Sequence, residues 1–158
     1  MPSRSGLRIA SVPTMSSPLR ISTGRPVVID TSVAFKWFDT TEPGADIAAQ
    51  LLDAHGRDEV ALIAPAHLPM EILNIPTSRR EPVSRIEEII DSLADADLLI
   101  APVDDALLVS AIRIAEAEHL ALYDAVFIAL AAALDAELVT ADRKQAATAS
   151  CRVRLIGQ

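Results

Sequence analysis

Apolar residues fall into two rhythms along this chain. Short unbroken runs occupy residues 27–29, 60–64 and 98–100, and a fourth lies within 137–140. The first two have the length and character of strands buried on both faces. Between them the period changes. Ile47, Ala48, Leu51 and Leu52 form one stripe, and Ile86, Ile89, Ile90 and Leu93 recur at i, i+3, i+4 and i+7. Leu107, Leu108, Ala111, Ile112 and Ala115 form a third stripe, each predicting an amphipathic helix. Glu42-Pro43-Gly44 opens the first of these helices, and Asp104 is a good N-cap for the third. Further helices are expected from Val33 toward Phe38, over 123–134, and over 143–148 behind Asp142 as cap. Residues 66–75 read as helical in part. Pro69 and Pro76 bracket that segment, so its helix should be short or kinked, followed by a polar turn over 77–81. Residues 152–156 make a last, edge strand. Strands alternating with helices predict a three-layer α/β/α sandwich with a mainly parallel sheet of about five strands.

The length of 158 residues suits one domain and one core. A mean hydropathy of +0.31 raises the membrane question. The longest apolar run, 125–134, is about half of a membrane span, so a buried core helix is the better reading. The single cysteine, Cys151, excludes an internal disulfide and suits a small core residue in a reducing cytoplasm. Residues 1–26 contain Arg4, Arg8, Arg20 and Arg25, no acid and no apolar period, and read as a disordered basic tail or a mis-assigned start. The domain is then 27–158. The rest of the chain holds ten bases against 22 acids, a net of −12, which is the wrong global sign for a nucleic-acid binder.

The first apolar run ends abruptly in Asp30-Thr31-Ser32. In open α/β sheets ligands bind beyond the carboxyl ends of the strands. Asp30, Glu71 and Asp142 all lie at or just past such ends, and Asp124 begins an otherwise apolar helix. If the sheet gathers them, like charges share one small space, a conflict that a hard divalent cation resolves. Oxygen donors with little histidine point to Mg²⁺ or Mn²⁺ and to phosphodiester hydrolysis. Each acid also has a plainer role: Asp30, Asp124 and Asp142 as helix caps, Glu71 on a solvated face. Thr140 alternates onto the side of Asp142. Lys36, Arg79, Arg80, Arg113, Arg143 and Lys144 could meet substrate phosphates, with Lys36, Arg143 and Lys144 favoured. His55, His67 and His119 read as incidental.

The segment Val-Val-Ile-Asp-Thr-Ser-Val-Ala-Phe-Lys-Trp-Phe at 27–38 resembles the opening of PIN-domain proteins, in particular VapC-type toxins. Glu71 with Asn74 resembles the family's Glu-x-x-Asn helix, residues 123–131 its third motif, and 138–142 its fourth. The resemblance implies a Mg²⁺- or Mn²⁺-dependent endoribonuclease, held in check by a cognate antitoxin and dimeric. It assigns Asp30, Glu71, Asp124 and Asp142 to metal binding, with Ser32 and Thr140 as supporting hydroxyls. Family members usually continue the Glu-x-x-Asn helix, whereas Pro76 is expected to interrupt it here. A degenerate PIN module that binds a protein without cutting RNA is the alternative. A phosphatase with Asp30 as nucleophile is disfavoured because Ser32 stands where such enzymes carry a second Asp. A receiver-like signalling domain ranks lower still.

Overall fold

A computed structural model describes residues 22–158, so the expected tail lies, through residue 21, outside the described residues. Strand β1 (Arg25–Ile29) begins two residues before the apolar run, inside the stretch read as tail. A short helix α1 (Thr31–Ala34) and a single 3-10 turn (Phe35–Trp37) follow it. Then come α2 (Ala45–Gly56), β2 (Val60–Pro65), α3 (Leu68–Ser78), α4 (Val83–Asp95) and β3 (Leu99–Ala101). The chain closes with α5 (Asp105–Glu118), α6 (Leu122–Ala133), β4 (Glu137–Thr140), α7 (Arg143–Ala146) and β5 (Arg152–Leu155).

The five strands form one sheet in the order β3-β2-β1-β4-β5, every pair parallel. Val27, Val28 and Ile29 are all fully buried. Successive side chains of a strand point to opposite faces, so both faces of β1 are covered, as a three-layer sandwich requires. The chain winds outward from β1 through β2 to β3, then returns to place β4 on the other side of β1. The reversal makes the β1/β4 boundary the topological switch point, where a crevice opens past the strand ends. Among the described residues no helix is long and apolar enough to cross a membrane.

Three expectations are corrected. Helix α3 does not stop before Pro76 but runs through it to Ser78, so Thr77 and Ser78 are helical and not part of a turn. Pro76 removes one backbone donor. The hydroxyls of Thr77 and Ser78 donate back to the carbonyls of Leu73 (2.7 Å) and Asn74 (2.6 Å), one turn earlier in the same helix. The stripes of α4 and α5 are also narrower than their spacing implies, for Ile90 and Ile112 are about half exposed. Cys151, expected in the core, is only partly buried.

Past β5 the chain returns to the start of α2. Gly157 has φ +75°, and a Cβ there would lie 2.5 Å from the carbonyl oxygen of Pro43. Backbone touches backbone at this point, beside the Lys36 side chain. Gly157→Ala is expected to lower stability by more than about 1 kcal/mol, the left-handed strain alone being of that size. The midpoint of thermal unfolding measures it.

Candidate active site at the β1/β4 switch point

The register that sets Ile29 beside Val139 brings Asp30 alongside Thr140. Asp30 caps α1: its Oδ1 accepts from the Val33 N–H (3.2 Å) and from the Ser32 hydroxyl (2.7 Å). Its Oδ2 accepts from the Thr140 hydroxyl at 2.8 Å, across 110 residues of sequence. Ser32 in turn accepts from the Ala141 N–H (2.9 Å), and Thr140 from the Asp142 N–H (2.9 Å). The two hydroxyls therefore stitch β1 to the end of β4. Asp30 is 2% exposed, and burial pushes its carboxyl up to about 6. The bonds from Ser32, Thr140 and Val33 pull it back down, while the negative charge of Asp142 pushes it up.

Asp142 caps α7, its Oδ1 accepting from the backbone N–H groups of Lys144 (2.6 Å) and Gln145 (3.4 Å). Glu71 stands in the first turn of α3, where its Oε2 accepts from the Thr31 hydroxyl. Asp124 stands in the first turn of α6, where its Oδ1 accepts from the Gln145 side-chain amide at 3.1 Å. Asp30, Ser32, Glu71, Asn74, Asp124 and Asp142 all line one cavity of about 720 Å³. Thr140 is fully buried behind Asp30. Glu71 reaches this cavity although Pro76 lies on its helix. Among the described residues no three His, Cys, Asp or Glu side chains stand close enough together to enclose an ion unaided.

The basic candidates are placed unequally. Lys36 lines the cavity but is buried, and its ammonium pairs with Glu42 at 2.8 Å. Arg79 lines it too, its guanidinium 5.8 Å from the centre of the Phe35 ring. Arg143 and Lys144 begin α7 beside the cavity without lining it, and Arg143 donates to Gln158 at 2.6 Å.

Sequence reading passed over the roles of three groups. Thr31 and Gln145 hold acids from distant elements. His67, taken as incidental, has its Nε2 4.0 Å from Glu71. Its ring packs edge-on against Phe127 at 4.9 Å and tilted against Tyr123 at 5.5 Å. Burial holds the imidazole below its ordinary pKa, against the pull of Glu71, a Tyr123 backbone bond and Asp124, so it is mainly neutral at pH 7. A histidine one helical turn before Glu71 was the available signal. His55, by contrast, is a buried strut, meeting the Leu62 N–H at 3.2 Å and the Asp97 carbonyl at 3.0 Å.

The chain is similar in fold to several solved proteins. VapBC2 from Rickettsia felis, bound to a DNA fragment from its promoter, superposes with a TM-score of 0.65 at 13% identity, covering 82% of this chain and 98% of that one. FitAB bound to the IR36 DNA fragment gives 0.63 at 17%, covering 82% and 94%. A toxin–antitoxin complex from Klebsiella pneumoniae gives 0.57 at 19%, covering 78% and 92%. No curated protein matches this chain. Residues 27–150 match the family model of the PIN domain, and the chain belongs to that family.

Proposed function

We propose that this chain is a divalent-cation-dependent endoribonuclease and the toxin of a toxin–antitoxin pair. One observation carries the reading. Asp30, Glu71, Asp124 and Asp142 come from four separate elements to one cavity, and each is held there by a protein donor. In Glu71, Asp124 and Asp142 one carboxylate oxygen is so engaged. The other accepts no hydrogen bond among the described residues. Three oxygens therefore remain for a ligand, alongside Asp30, whose carboxyl is raised by burial and, to a lesser degree, by the charge of Asp142. The donors are all oxygen, which suits Mg²⁺ or Mn²⁺. Mg²⁺ keeps several of its waters and binds through one or two carboxylates, so a roomy cavity fits it better than a tight cage. A bound cation would supply Lewis acidity toward a phosphoryl oxygen and charge to offset the leaving oxygen.

The protein's own groups do the rest. Ser32 and Thr140 fix the Asp30 carboxylate, and Thr31 fixes Glu71. Arg79 is the cavity group offered to a phosphate flanking the cut, with Arg143 and Lys144 beside the opening. Lys36 is committed to Glu42 and shapes the wall. An antitoxin partner is supported by the solved relatives, two of which are named as toxin–antitoxin or VapBC complexes. RNA as substrate and a homodimeric state belong to the same reading.

The test uses purified protein freed of any partner and a panel of structured RNAs. EDTA is expected to stop cleavage and added Mn²⁺ to restore it. Glu71→Gln is expected to lower the rate at least about tenfold, the low end for disturbing a metal site, with little change in melting temperature. Cleavage that survives EDTA, or none with any RNA in either cation, would instead favour a PIN module that binds a protein without cutting.

A further inference from the structure

We propose that Gln145 is a positioning residue, holding the Asp124 carboxylate so that its second oxygen faces the cation, an assignment that rests on the cation-dependent reading above. Gln145 sits on the single turn of α7 and is only 2% exposed. Its Nε2 donates to Asp124 Oδ1 at 3.1 Å, a contact between α7 and α6 across 21 residues. Its Oε1 is buried with no hydrogen-bond partner among the described residues. A buried amide left half-satisfied is costly, and an apolar side chain of the same length would carry no such penalty. The position therefore keeps a polar group against the interest of packing. Its orientation is also settled, since only the NH₂ end of an amide can face an ionised carboxylate.

A continuous path of bonds gives this contact its meaning. Asp30 takes the hydroxyl of Thr140, Thr140 takes the Asp142 N–H, and Asp142 caps the backbone N–H of Gln145. Gln145 then reaches Asp124. Residues 140–145, from the end of β4 into α7, thus tie the acid at the end of β1 to the acid at the start of α6. With Oδ1 of Asp124 occupied, Oδ2 is the oxygen presented to the cavity. Partners of this outer kind typically change metal affinity or activity 10- to 100-fold.

Gln145→Leu and Gln145→Met both remove the donor at similar volume, and the pair guards against one variant folding poorly. Metal-free crystals of parent and variants show the Asp124 rotamer directly. Mn²⁺ affinity follows from calorimetric titration, and the melting temperature is taken in EDTA. The expected result is one Asp124 orientation in the parent and a turned or split one in the variants. Mn²⁺ affinity should be weaker by at least about tenfold, and the metal-free melting temperature should not fall. A merely structural residue would give the reverse, a lower melting temperature at unchanged affinity. An Asp124 rotamer that stays put in the variants, or an affinity within about twofold of the parent, overturns the assignment. If the parent itself binds no Mn²⁺, the cation reading fails, and the Asp124 rotamer alone then decides the role of Gln145.

Discussion

Asp30→Asn is expected to abolish RNA cleavage and yet to raise the melting temperature of the metal-free protein. The activity side follows from position. Asp30 is the acid that Ser32, Val33 and Thr140 all hold, and outer partners of metal sites alone cost 10- to 100-fold when removed. Loss of the acid itself should therefore exceed about 100-fold. The stability side follows from burial. The carboxyl titrates near 6 in the fold against an ordinary 3.8, so the folded state holds the proton more tightly than the unfolded chain. Folding then loses free energy as pH rises through that window: the penalty is absent below about 3.8 and complete above about 6. Its size at pH 7 is roughly 3 kcal/mol, an order-of-magnitude figure. Asparagine carries no charge and keeps an acceptor for Val33, so part of that penalty is relieved. Calorimetry in EDTA should show the variant melting several degrees higher at pH 7.5, with the difference closing toward pH 4. Added Mn²⁺ should raise the melting temperature of the parent and leave the variant unmoved. A variant that melts lower at every pH would contradict the account.

Phe127→Ala is expected to have the largest effect on stability. Phe127 is 1% exposed, the largest of the fully buried side chains, and lies between the sheet and the cavity on α6. Truncating such a ring costs about 3–5 kcal/mol, out of a total of about 5–15 for a domain. For a chain of this size the melting temperature should fall by roughly 10 °C. The urea midpoint should fall with an unchanged slope, showing lost stability and not an altered unfolded state. The substitution also removes one wall of the His67 pocket. Cleavage at temperatures where the variant is still folded should therefore drop as well, because His67 stands behind Glu71. Wild-type activity in the folded variant would separate the ring's packing role from the site.

Four strands were legible because each holds a short apolar run with a polar or proline stop, while β5 alternates arginine with apolar residues. The acids were legible because those stops are where an α/β sheet collects ligands. Asp104 and Asp142 both cap the helices expected of them, Asp104 accepting from the Leu107 N–H at 2.9 Å. What stayed hidden depends on pairs far apart in sequence. Nothing around residue 145 announces that its side chain meets Asp124, and nothing around Thr31 announces Glu71. Lys36 looked like a surface cation because its pairing with Glu42 and the cover of Gly157 need the folded chain. Pro76 misled for a different reason. Proline rules describe the lost backbone donor, but one missing donor in the last turn does not end the helix before Pro76. Periodicity likewise marks which face of α4 or α5 turns inward, but not how much of it a neighbour covers, as Ile90 and Ile112 demonstrate.

The place of β1 between β2 and β4 bears on when the candidate site can form during synthesis. Strands β1 and β2 are synthesised early and can pair as they emerge. Thr140, Asp142 and Gln145 come in the last fifth of the chain, and without them Asp30 and Asp124 have no common support. A nascent polypeptide therefore carries the first acid for 110 residues before its partner Thr140 is made. On this architecture the candidate site closes only after residues 140–145 have left the exit tunnel.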